Sequence, residues 1–217
     1  MLRQEVSIAG DGVQVAGELT LPERAVGVVV FAHGSGSSRF SPRNQYVASV
    51  LQRAGLGTLL MDLLTEMEAA DRQKVFDIIL LGQRLRYAKT WLGEQAETRE
   101  LPLGYFGAST GAAAALVAAA QDPQGVRAVV SRGGRPDLAE DFLPLVSAPT
   151  LLLVGERDEV VLELNQKAAQ LLRCPHEIVI IPNATHLFPE PGALEQVAQL
   201  ARDWFLKYLT STLEQTR

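Results

Sequence analysis

The sequence predicts an α/β fold built on a doubly wound, mostly parallel sheet, and three patterns predict it. Val26-Gly27-Val28-Val29-Val30-Phe31-Ala32 is a continuous, β-branched apolar run. Such a run leaves no polar face, so it suits a strand covered by helices on both sides, as in parallel sheets. Strand-like and helix-like segments then alternate toward the C-terminus, and repeated β-α units close through right-handed crossovers. Ahead of them, apolar segments over 6–9 and 13–21 flank Gly10-Asp11-Gly12, the pattern of an N-terminal antiparallel hairpin.

The elements follow in order. A helix is expected over 43–54 and a strand over 58–61. A long helix is expected over 72–92, where Val75, Ile78, Gly82, Leu85 and Leu92 recur at helical spacing. Next come a strand over 103–106, an alanine-rich helix over 110–120 and strands over 126–131 and 150–154. A helix over 160–172, a strand over 177–181 and a helix over 194–208 complete the series. The connection from Ser131 to Pro149 contains Arg135-Pro136-Asp137-Leu138-Ala139, which offers a turn or two of helix, so no large lid and an open site are expected.

Composition narrows the function classes. With 217 residues, 47% of them hydrophobic and 21% charged, one domain spanning 1–217 folds by core burial. The single cysteine, Cys174, forms no internal disulfide and supplies no zinc cluster, and is read as an unreactive thiol. No apolar stretch suits a membrane span or a leader, so a cytoplasmic protein without membrane contact is expected. A net charge of −5 with scattered lysines and arginines argues against nucleic acid.

Chemistry concentrates where strands end, the usual place for ligands in such sheets. Gly107-Ala108-Ser109-Thr110-Gly111 follows an apolar strand and opens a helix. That is the setting in which a serine is held on a sharp turn with its hydroxyl exposed, and glycines at 107 and 111 remove Cβ atoms that would collide there. A serine nucleophile needs a base, and histidine titrates nearest neutral pH. There are three: His33 ends the first buried strand, His176 enters a strand, and His186 lies in a loop after the last strand, on the edge of the sheet that carries Ser109. His186 is therefore the expected base. Its orienting acid should also follow a strand, and Gly155-Glu156-Arg157-Asp158-Glu159 offers three carboxylates. Asp158 is selected, because Glu156 lies against the strand end and Glu159 belongs to the first helical turn; both are read as solvated charges. Acyl transfer also needs two donors for the developing oxyanion. The backbone N–H groups of Thr110, after the nucleophile, and Ser35, in the glycine-rich loop after the first parallel strand, are the candidates.

The order Ser109, Asp158, His186 is that of α/β-hydrolases. The chain resembles the dienelactone-hydrolase-like branch of that family over nearly its whole length, through His33-Gly34-Ser35-Gly36, Met61-Asp62-Leu63-Leu64-Thr65, Gly107-Ala108-Ser109-Thr110-Gly111, Gly155-Glu156-Arg157-Asp158 and Thr185-His186. The resemblance implies an α/β-hydrolase fold with an eight-stranded sheet, no metal or organic cofactor, and hydrolysis of small carboxylic esters, thioesters or lactones. The enzymes that give the family its name carry a cysteine where this chain has Ser109, and a glutamate near the oxyanion loop where it has Ser37, Ser38 and Arg39. Two strand-end residues stay open: Arg132 either faces a substrate carboxylate or phosphate or is solvated, and Asp62 either faces substrate or caps the next turn. Fold alone does not separate an esterase from a peptidase, a perhydrolase or a slow ligand receptor.

Overall fold

The structure, a computed structural model, describes residues 1–211; the last six residues of the expected domain, 212–217, lie outside the described residues. The strands are β1 (Leu2–Gly10), β2 (Val13–Leu21), β3 (Val28–Ala32), β4 (Gly57–Met61), β5 (Leu103–Ala108), β6 (Ala128–Arg132), β7 (Thr150–Gly155) and β8 (His176–Ile181). They form one eight-stranded sheet in the order β1-β2-β4-β3-β5-β6-β7-β8. β1 and β2 make the expected hairpin, with Asp11 and Gly12 at φ 51° and 74°, the positive pair its twist demands. β2 runs antiparallel to β4, and β3 to β8 are parallel.

The helices are α1 (Pro42–Arg53), α2 (Glu66–Ala69), α3 (Arg72–Val75), α4 (Ile78–Glu94), α5 (Thr110–Gln121), α6 (Glu159–Ala169) and α7 (Ala193–Leu209). α1 and α7 cover one face of the sheet, packing on Phe31, Phe106 and Val130. α4, α5 and α6 cover the other, over Val30, Tyr105 and Val129. The alternation of β-branched residues along each parallel strand thus feeds two cores. α5 is buried from Thr110 to Ala120, and its alanines let α4 lie against it. Gly82 of α4 is part of that approach, since a Cβ there would sit 3.1 Å from the Ala114 carbonyl oxygen.

Three expectations shift. The helix expected over 72–92 is divided, because Asp77 leaves helical geometry at ψ 85° and its carboxylate accepts the Leu80 N–H at 3.0 Å, which caps α4 afresh. Residues 72–77 thereby join 62–71 in the connection between β4 and α4. The strands expected from 26 and 126 begin two residues later, at Val28 and Ala128. The connection after β6 holds a 3₁₀ stretch, Pro136–Leu145, longer than the turn or two expected. Pro144 inside it and non-helical Ala139 keep it from becoming an α-helix, and it makes no large lid. Among the described residues no helix is long and apolar enough to cross a membrane.

Candidate active site

Ser109 alone makes the turn between β5 and α5, at φ 52° and ψ −121°. A side chain there costs about 1–3 kcal/mol and persists only where the surroundings over-determine it. They do so here. The Ser109 N–H donates to the Arg132 carbonyl at 3.2 Å, and the Ser109 carbonyl accepts from the N–H groups of Ala112 and Arg135, each at 3.1 Å. A Cβ at Gly107 would overlap the backbone of Ala112, and one at Gly111 the carbonyls of Ala32 and His33, so both positions require glycine.

His186 lies on the loop after β8, and its Nδ1 meets Asp158 Oδ2 at 2.6 Å. Asp158 occupies the cap position of α6, yet its carboxylate bonds no helix N–H and is left for the imidazole. His186 Cε1 would stand 3.5 Å from a Cβ at Gly133, the residue after Arg132, whose carbonyl holds the elbow. Ser109, Asp158 and His186 therefore gather at the carboxyl ends of β5, β7 and β8.

Of the neighbouring carboxylates, Glu159 lies in the first turn of α6, as expected. Glu156 is exposed, as expected, and also accepts the Asn183 N–H at 2.6 Å, where Asn183 turns at φ 59°. Arg157 adds two ties to the same loop, its N–H to the Ala184 carbonyl at 2.9 Å and its Nη2 to Asn183 Oδ1 at 3.1 Å. Glu190 closes the loop from the far side, accepting the Thr185 N–H at 3.0 Å and the Thr185 hydroxyl at 2.6 Å. The hydroxyl holds the Glu190 carboxyl below its ordinary value. Sequence reasoning missed Glu190, because nothing local distinguishes it from a surface acid.

The other histidines are bound up in structure. His33 Nε2 accepts the Leu63 N–H at 3.1 Å, so Nδ1 carries the proton and donates to the Gly34 carbonyl at 2.9 Å. Burial lowers its pKa, with the Gly34 carbonyl opposing. His176 starts β8 at the opposite edge of the sheet, its Nδ1 against the Cys174 carbonyl at 2.8 Å. Cys174 is buried, and burial pushes its thiol pKa up, away from reactivity.

Facing the elbow is the loop after β3. A Cβ at Gly34 would lie 3.2 Å from Ser109 Cβ, and the Ser35 N–H donates to Thr110 Oγ1 at 2.9 Å. The N–H of Thr110, first in α5, belongs to the helix-end donors that lack an intrahelical partner. Beside Ser35 and Thr110 opens a cleft of about 660 Å³, walled by Leu63, Leu64, Val75 and Phe76. Residues 62–77 supply that wall, of which the expected continuous helix had claimed only 72–77. Asp62 lines this cleft and is anchored there by Arg39, accepting the Arg39 N–H at 2.8 Å and Arg39 Nη1 at 2.6 Å. Arg132 is not solvated; it is 6% exposed, with Nη2 on Asn44 Oδ1 at 3.2 Å.

Residues 15–215 match the model of the dienelactone hydrolase family. A dienelactone hydrolase from Anabaena variabilis, solved by crystallography, is 56% identical, with a TM-score of 0.93 over 96% of this chain and 98% of its own. Est1E from Butyrivibrio proteoclasticus shares the fold at 16% identity and a TM-score of 0.80, over 94% of this chain and 98% of its own. A Mycobacterium tuberculosis protein, provisionally named a phosphoribosyl transferase, is 61% identical over 206 residues, which are 95% of this chain and 46% of that protein. The chain thus spans about half the length of the curated relatives it matches. By its matched sequence and its α/β-hydrolase architecture, the chain belongs to the dienelactone hydrolase family.

Proposed function

We propose that the protein is a serine hydrolase that cleaves small carboxylic esters, thioesters or lactones through an acyl intermediate on Ser109. The observation that carries this reading is the 2.6 Å contact between His186 Nδ1 and Asp158 Oδ2 beside a serine at φ 52°. With Nδ1–H donated to the carboxylate, Nε2 keeps its lone pair and acts as base. It takes the Ser109 proton as Oγ bonds to the substrate carbonyl carbon, and the carbonyl π electrons move to oxygen. Collapse of the tetrahedral adduct breaks the acyl C–O or C–S bond, and the alcohol or thiol takes the proton from His186; it departs from an ester or thioester and stays tethered to the acyl group of an opened lactone. Water then repeats the sequence on the acyl-serine and releases the acid.

The oxyanion falls between the N–H groups of Thr110 and Ser35. Until substrate arrives, Thr110 Oγ1 holds the Ser35 N–H at 2.9 Å, which keeps that donor pointed at the elbow and passes it to the oxyanion. The apolar side chains of Leu63, Leu64, Val75 and Phe76 in the cleft suit a short hydrocarbon part of the substrate. Ser109→Ala tests the reading: turnover of p-nitrophenyl butyrate falls by at least about 1000-fold, and labelling by a fluorophosphonate probe disappears. Unchanged hydrolysis in the variant, or labelling of another residue in the wild type, refutes it.

A further inference from the structure

The cleft beside the elbow has two unlike walls. Gly34, Ser35 and Thr110 belong to the ends of β3 and β5 and the start of α5, whereas Leu63, Leu64, Val75 and Phe76 lie on the connection between β4 and α4. That connection is held down sparingly over 66–77. Its two helices, α2 and α3, are single turns of four residues, too short to persist on their own. Apolar burial does little for them: Met67 is 88% exposed, Phe76 is exposed, and of the described residues 66–77 only Glu68 is buried. The one side chain of this segment taken out of water is thus an acid.

Glu68 uses both of its oxygens. Oε2 accepts the Thr65 N–H at 3.0 Å while the Glu68 N–H donates to Thr65 Oγ1 at 3.2 Å, the reciprocal pair that closes the start of α2. Oε1 accepts Arg84 Nη2 at 2.8 Å and faces Lys74 Nζ, on α3, at 3.7 Å. Arg84 stands on α4, is 3% exposed, and donates its Nη1–H to the Gly10 carbonyl at 3.2 Å. One carboxylate therefore ties α2 and α3 to α4, and α4 is packed into the core through Leu81 and Leu85. Removal of the carboxylate leaves the Arg84 guanidinium dehydrated and unmatched, a state relieved when the segment lifts and admits water. Val75 and Phe76 then leave the cleft with it.

We propose that Glu68, paired with Arg84, is the positioning residue of the acyl cleft: it holds residues 66–77 in place, so that esters and thioesters whose neutral acyl chain extends to Val75 and Phe76 are favoured over acetyl esters. Glu68 does not line the cleft and acts through the wall it fixes. The acyl preference rests on the hydrolase reading above; the hold on the segment does not.

Hydrogen–deuterium exchange of the wild-type protein and Glu68→Gln, read by mass spectrometry, tests the hold. Amides of 66–77 exchange at least about tenfold faster in the variant, while those of β5 and α5 keep their rates. Equal exchange over 66–77, or acceleration spread evenly over the chain, overturns the proposal. Steady-state kinetics test the substrate preference. Wild-type kcat/KM for p-nitrophenyl hexanoate exceeds that for p-nitrophenyl acetate at least about tenfold, and Glu68→Gln lowers this ratio at least about fivefold, chiefly by raising KM for the hexanoate. A ratio left unmoved, or no preference for the hexanoate in the wild type, overturns the role in substrate selection. Should Glu68→Gln fail to fold, Glu68→Asp carries both tests, since it keeps a charge beside Arg84 but is one methylene too short to meet Thr65 and Arg84 together; behaviour equal to the wild type then overturns the proposal. Faster exchange over 66–77 in the variant, without turnover of either ester by the wild type, refutes the hydrolase reading and leaves the hold on the segment standing.

Discussion

Replacing Ser109 by glycine should make the protein more stable than replacing it by alanine, although neither variant has a nucleophile. Both substitutions remove Oγ, so the comparison isolates what a Cβ costs at φ 52° and ψ −121°. At a backbone geometry of this kind a side chain costs about 1–3 kcal/mol, while glycine loses about 0.5–1 kcal/mol through the greater freedom of the unfolded chain. The net expectation is about 1 kcal/mol in favour of Ser109→Gly. For a chain of this size that corresponds to a melting temperature higher by about 2–4 °C. Differential scanning calorimetry and urea denaturation of the two variants measure it, with unchanged m-values showing that the same surface unfolds. Ser109→Gly melting below Ser109→Ala, by the ordinary glycine penalty, would refute the claim that the elbow stores strain. It would also remove the argument that the Arg132, Ala112 and Arg135 hydrogen bonds hold Ser109 in a costly conformation.

Asp158→Asn keeps the shape of the acid but disfavours the imidazole tautomer with Nε2 free, and kcat for p-nitrophenyl butyrate should fall about 10³- to 10⁴-fold with little change in melting temperature; a loss under tenfold would mean that Asp158 does not orient His186. Acid should destabilise the fold in two windows. Burial lowers the His33 pKa in the folded state, so its contribution is complete above the ordinary value of 6.5 and is lost as pH falls below it. Denaturation at pH 8 and pH 5.5 measures this, and His33→Asn should flatten the difference; an equal slope in the variant would exclude His33 as its source. Burial alone would raise the Glu68 pKa, but the Thr65 N–H, Arg84 and Lys74 outweigh it and lower it, so its contribution is lost as pH falls below about 4.5. Glu68→Gln should remove that part of the acid transition, and an unaltered transition would show that the Glu68–Arg84 pair does not drive it.

The parts of the site that could be read in the chain are those where one local pattern serves one local structure. Gly107 to Gly111 has meaning by itself, because a turn that sharp needs small residues at fixed offsets from the serine. The histidines sorted themselves by their places along strands: His176 at the amino end of β8 and His186 beyond its carboxyl end cannot share one edge of the sheet. The loop contact of Glu156 and the surroundings of Asp62 and Arg132 were not legible. Each of the three is a charged residue at or just past the end of a strand, and whether such a residue meets water, a neighbouring loop or a helix depends on segments far away in sequence.

The sequence by itself determined the order of strands and helices, the hairpin, the serine elbow and the succession Ser109, Asp158, His186 along the chain. These follow from periodicity and from steric limits that act within a few residues. The tertiary structure alone decided that Glu156 and Glu190 clamp the histidine loop and that residues 62–77 wall the cleft. It also left Arg132 buried without a carboxylate. The reason is physical: hydrogen-bond partners are set to within a fraction of an ångström by how loops from β3, β4, β6, β7 and β8 pack at one edge, and no local pattern encodes that packing.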